Sequence, residues 1–157
     1  MDLLNRELLL TLHLLGIIVW IGFGLCEYWL GRVFLTQAGS PAEAPLIRFI
    51  YRCDLVVFIA TLISFAAGTA MALLLGWGFF NELWLGIKQG IMFTVLAVVG
   101  IILPRALRLG TLIDALPAGP GPVTAEIRAL YHWLDPFFLV MRALAVAAVV
   151  LAVWRPA

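Results

Sequence analysis

The fold class this sequence predicts is all-α: an integral membrane bundle of four transmembrane helices, and three observations carry that expectation. The chain is 64% hydrophobic and only 12% charged over 157 residues, with a mean hydropathy of +1.10. A soluble domain is nearer half apolar and about a quarter charged. The apolar residues fall into four runs, each reaching the ~20 residues that cross a bilayer. Between the runs lie short polar or Pro- and Gly-rich stretches, with no repeat and no low-complexity tract, so residues 1–157 are expected to form one transmembrane domain.

The first helix is expected over about 8–35. Within it His13, Gly16, Trp20, Gly24, Glu27 and Gly31 recur at steps of three and four and therefore share one face. A stripe carrying an imidazole, a carboxylate and an indole is expected to face protein, or a group the protein holds, rather than lipid. The polar stretch TQAGSPAEAP forms the first loop. The second helix is expected over 54–79, with Ala60, Ser64, Ala67, Gly68 and Ala70 as the small residues that allow close helix approach. A minimal loop near Asn81 and Glu82 leads into the third helix, 83–103, which Pro104 is expected to stop. Trp77, Phe79, Phe80 and Trp84 surround that loop at interface depth.

The longest connection, RALRLGTLIDALPAGPGPV, reads as a flexible loop from its Pro and Gly cluster. Thr124 is placed to cap the fourth helix, 124–154, with a kink near Pro136.

Orientation follows from the basic residues. Arg32, Arg48, Arg52, Arg105, Arg108 and Arg128 belong to the first and third loops or their edges, whereas Arg6 and Arg155 lie near the termini. The positive-inside rule then puts both termini outside the cytoplasm, as in a multi-pass protein of a bacterial inner (plasma) membrane. MDLLNRELLL has no small-residue cleavage site and is not expected to be a removable signal peptide. A formal net charge of +1 without a basic patch gives no reason to expect nucleic acid.

This topology sorts the polar residues into two sets. His13 and Lys88 each lie a turn or so into their helices from one membrane face. Glu27, Arg142, Asp54, His132 and Asp135 belong to the opposite half, so His13 and His132 cannot readily clamp one metal between them. Ionisable residues at membrane depth cost at least ~2.5 kcal/mol on insertion scales, which makes them functional candidates. Each also has a plain structural role: an ion pair for Glu27 and Arg142, snorkelling to the headgroups for Lys88, interhelical hydrogen bonding for His13 and an interfacial place for His132. Cys26 and Cys53 read as small packing residues. The chain has no zinc-type spacing, no nucleophile paired with a base and no phosphate-cradling loop.

The segment LHLLGIIVW resembles the first helix of the HemJ-type protoporphyrinogen oxidases, with His13, Gly16 and Trp20 at that family's spacings. LWLGIKQ resembles its Trp-Leu-X-X-Lys segment through Trp84 and Lys88, GRVFL its arginine-aromatic segment through Arg32 and Phe34, and VWRPA its basic C-terminal end through Arg155 and Pro156. RCDLVVFIATLISFAAGTA is similar to related small four-helix membrane families near the copper-resistance CopD proteins. Two departures stand out: Arg32 falls about one turn late, and Gly86 stands where the family often has histidine.

The resemblance implies haem b bound within the bundle, His13 as its metal ligand, and Gly16 and Trp20 as cofactor-binding neighbours. It also implies an oxidoreductase acting on protoporphyrinogen IX with a membrane electron acceptor, in which Lys88 and Arg32 would serve the porphyrin carboxylates. Two alternatives from other classes stand beside it: a non-enzymatic subunit or assembly factor of a larger membrane complex, and a metal or small-solute permease, for which a homo-oligomer would be needed to build a pathway.

Overall fold

The computed structural model of the chain describes residues 3–77, 80 and 82–154. The positions of Phe79, Asn81, Arg155 and Pro156 lie outside the described residues. Four helices follow in order: α1 (Leu3–Thr36), α2 (Glu43–Leu74), α3 (Leu83–Asp114) and α4 (Ala125–Trp154). No strand occurs among the described residues. All four helices are long and apolar enough to cross a membrane, which makes this a multi-pass membrane protein with an all-α bundle fold. At ~1.5 Å per residue, the 34 residues of α1 run ~51 Å. That exceeds the ~30 Å hydrocarbon core, so the helices project beyond it.

The helices form an up-and-down square in which each packs on two neighbours. The α1–α2 contact is the most extensive, α3–α4 follows, and α2–α3 is the slightest. The polar stripe on α1 faces inward. Gly16, Trp20, Gly24, Glu27, Gly31 and Phe34 are its buried positions, with His13 half-buried. Steps of three and four keep these on one face while Leu14, Leu15, Ile18 and Leu25 turn outward.

Small residues set the helix spacing. A Cβ on Gly16 would stand 2.7 Å from the Ala60 carbonyl oxygen and 2.7 Å from Ser64 Cβ, so α1 and α2 touch backbone to backbone there. Elsewhere a glycine makes room for a ring from the facing helix. Gly31 receives the Tyr131 hydroxyl, Gly110 that of Tyr51, and Gly68 the His13 imidazole.

Several boundaries differ from the sequence expectation, each for a physical reason. Helix α2 begins at Glu43 instead of 54, because the polar residues before Asp54 satisfy themselves against the rest of the protein. It ends at Leu74, where Gly76 takes φ 68°. The Gly76 and Trp77 amides then donate back to the Leu73 and Ala72 carbonyls at 3.3 and 3.1 Å, the Schellman arrangement that favours glycine.

Helix α3 continues through Pro104 to Asp114. A proline removes one amide donor and crowds the carbonyl four residues back, here that of Gly100, and the packing of Ile102, Leu109 and Ile113 in the core outweighs that cost. Helix α4 is likewise continuous through Pro136, and Thr124 does cap it, its hydroxyl accepting the Ile127 amide at 3.3 Å.

The 115–124 connection is fixed rather than loose. Arg48 donates to the carbonyls of Leu116, Pro117 and Gly119. The Ala44 amide donates to the Gly121 carbonyl at 3.0 Å, and the Gly121 amide to that of Pro41 at 2.8 Å. Composition alone reads a Pro- and Gly-rich stretch as mobile, but a long-range arginine saturating its carbonyls overrides that reading.

Candidate functional site

The polar residues form two sites at different depths. The first lies in the α1–α2 seam. His13 Nδ1 is 2.8 Å from the Ser64 carbonyl and 3.1 Å from the Ser64 hydroxyl, which itself donates to the His13 carbonyl at 3.1 Å. A carbonyl only accepts, so Nδ1 carries the hydrogen and Nε2 of the neutral ring is left as an acceptor. Ser64 can approach this closely because Gly16, one turn along α1, has no side chain. Lys88 on α3 is near enough for its charge to act on the imidazole, and its ammonium lies 5.8 Å from the Trp84 ring centroid. His13 and Lys88 thus share a level, as their depths in the sequence predict.

The second site is an ionic chain toward the opposite end. Arg142 Nη2 donates to Glu27 Oε1 at 2.6 Å, with the two side chains only 13% and 2% exposed. This pair, anticipated from shared depth, forms. Asp54 on α2 neighbours Glu27, close enough for the two carboxyl groups to act on one another. Nearer the helix ends Arg32 pairs with Asp135, and the Tyr28 ring lies beside both guanidinium groups, 5.3 Å from Arg32 and 5.8 Å from Arg142. Nη1 of Arg142 and Nε of Arg32 are buried with no hydrogen-bond partner among the described residues. His132 is exposed.

Beside this chain, between α2 and α3, lies a cavity of about 150 Å³. Trp20, Val95, Ile102 and Phe138 line its interior, and Asp54 is the charged residue on its wall.

A third cluster escaped sequence reading. Glu43 is fully buried at the start of α2. Its Oε2 accepts the amides of Gly39 and Val123 at 3.0 and 3.2 Å, and its Oε1 accepts Arg128 Nε and Nη2 at 3.1 and 2.6 Å. The signal for it was weak, because SPAEAP reads as an ordinary polar loop. Only the apolar AEAPLIRFI phase after it hints at a helix already under way.

The proposed site residues therefore separate. His13 and Gly16 belong to the seam, Lys88 to α3 at the level of His13, Trp20 to the α2–α3 cavity, and Arg32 to the ion pair with Asp135. Arg32 is 19 positions from His13, about 28 Å along α1. The glycines expected to make room are filled, Gly16 by the α2 backbone and Gly24 by the Arg142 side chain, whose Cγ stands 3.6 Å from where a Cβ would be. His13 fits haem as a donor, having an oriented neutral imidazole. The space expected on its glycine face is occupied by protein. No group of three or more His, Cys, Asp or Glu suited to a metal occurs among the described residues, so a metal held here would rely on His13 and a ligand of its own, as haem iron does.

Compared with protein-family models, with curated proteins and with solved structures, the chain matches none.

Proposed function

We propose that this is a haem-linked redox protein of the membrane in which His13 would hold the haem iron through Nε2. One observation carries the reading. The hydrogen bond from Nδ1 to the Ser64 carbonyl at 2.8 Å is the arrangement that metal-bound histidines use to fix their tautomer and raise their basicity.

When bound, haem supplies one-electron chemistry. The residues of this chain hold and tune it. Ser64 orients the ring, Gly68 admits its edge, and Lys88 places positive charge at the same level, where a propionate carboxylate would meet it. Because Gly16 and Gly24 are filled, a haem would have to be met where His13 is half-buried and not in a chamber lined by those glycines.

Oxidation of protoporphyrinogen IX is the finer form of the proposal. It is supported by the motifs around His13, Trp20 and Lys88; Arg32, engaged with Asp135, plays no part in it. A bacterial inner-membrane location with both termini outside fits the six arginines gathered at the loop end.

The test is a dithionite-reduced minus oxidised spectrum of protein purified after growth with ample haem, beside His13→Ala. A sharp reduced α-band that the variant loses or shifts is the expected result. A flat spectrum in the parent protein would overturn the proposal and leave a non-enzymatic subunit or assembly factor as the leading alternative.

A further inference from the structure

The α2–α3 cavity invites a separate reading that does not depend on haem at His13. Its volume of about 150 Å³ is the size that accepts a single six-membered ring, as an engineered cavity of that volume takes benzene. It is far below the ~300–1,000 Å³ of pockets for larger ligands. Its rim residues Leu55, Phe58, Leu103 and Leu107 are all exposed, so the cleft opens sideways from the bundle, where a bilayer would lie. The weak α2–α3 contact is the reason it stays open.

The floor is dry and aromatic, from Trp20 and Phe138, and the wall carries the Asp54 carboxyl and the Thr61 and Tyr51 side chains. The Thr61 hydroxyl already donates to the Val57 carbonyl at 2.8 Å, which leaves its oxygen able to accept. Asp54 is in reach of Glu27, and two adjacent carboxyls can hold one proton between them. Such a pair can donate to a ring oxygen or accept from a ring hydroxyl. Arg142 and Tyr131 face the pair from α4 and Cys53 from α2, while Asp135 and Arg32 continue the polar chain toward the helix ends. A bulky polycycle would not enter a space of this size.

We propose that the α2–α3 cleft binds the single-ring headgroup of a membrane-soluble quinol or quinone, with Asp54 as its hydrogen-bond partner and the tail leaving between Leu55 and Leu107 into lipid.

The experiment uses the full chain in phosphatidylcholine nanodiscs, titrated with a decyl-substituted benzoquinone, its quinol and decylbenzene as the tail-and-ring control without oxygens. Saturable binding of the quinone or quinol is expected. It should weaken at least tenfold in Val99→Phe, which fills the cleft, and in Asp54→Asn or Thr61→Val, while His13→Ala leaves it unchanged. Each variant is first shown to retain the parent's helical circular dichroism, and Thr61→Val keeps the test intact should Asp54→Asn fail to fold. Absence of saturable binding, equal binding of decylbenzene, or binding indifferent to Val99→Phe would each overturn the proposal. Loss of binding only in His13→Ala would place the ring in the seam and overturn it equally.

Discussion

At the end carrying the 37–42 and 115–124 connections, the bundle has a continuous core of Phe34, Ile47, Ile50, Leu109, Ile127, Tyr131 and Leu134. A buried carboxylate ties both loops to α4 there, and an arginine fills the carbonyls of the 115–124 connection. Toward the termini the apolar side chains turn outward, and contact between α1 and α2 rests on Gly16, Ala60, Ser64 and Gly68. The difference reflects the solvent each end meets. Water rewards burying apolar area and permits a carboxylate to gather amides. Hydrocarbon gives apolar side chains no reason to bury, so only close backbone packing and hydrogen bonds join helices. The His13 seam lies where the packing is of the second kind, and the cleft sits at the junction, lined by Ile102 and Phe138 of the core as well as by Trp20 and Val95.

The largest expected effect breaks the water-facing end. Glu43→Ala leaves the Arg128 guanidinium and two loop amides without their acceptor, and it should cost roughly 3–5 kcal/mol in a detergent unfolding titration. A loss under ~1 kcal/mol would mean that water replaces the carboxylate and that the clasp is not structural.

Next, Glu27→Gln should destabilise by roughly 3 kcal/mol through the stranded Arg142, while Glu27→Gln with Arg142→Met recovers most of it. A double variant no better than the single one would show that Asp54, not Arg142, is the partner that matters.

Gly16→Ala should then cost about 1–3 kcal/mol, because the added Cβ meets the Ala60 carbonyl and Ser64. It should also shift the His13 environment, read as a changed imidazole NMR signal. An unaltered melting curve would mean that α1 and α2 slide apart at little cost.

The smallest effect is expected at the exposed Arg108–Glu126 pair, 66% and 45% accessible. Arg108→Ala should move stability by less than ~1 kcal/mol, and by less still at 0.5 M salt.

Much of this was legible in residue order. Four apolar runs gave the four spans, and the three-four spacing from His13 to Gly31 gave the buried face of α1. Depth along the helices paired Glu27 with Arg142, and Thr124 announced its cap. Pairing by depth works in a membrane because few polar residues are available and each needs a partner. The Arg32–Asp135 pair was not read from the sequence, because it depends on the rotation of α4 about its own axis, which span lengths do not encode.

By itself, then, the sequence determined the class of protein, the number of spans, the inward face of α1 and the shared depth of Glu27 and Arg142, since these follow from composition and helical period alone. Tertiary structure decided whether glycines make slots or seams, that Pro104 lies inside a helix, that Glu43 fastens a loop, and that Trp20 belongs to a cleft rather than to His13. Those outcomes depend on which helices are neighbours and how they are rotated. Long-range packing energy settles that choice, and apolar runs of similar composition leave it open.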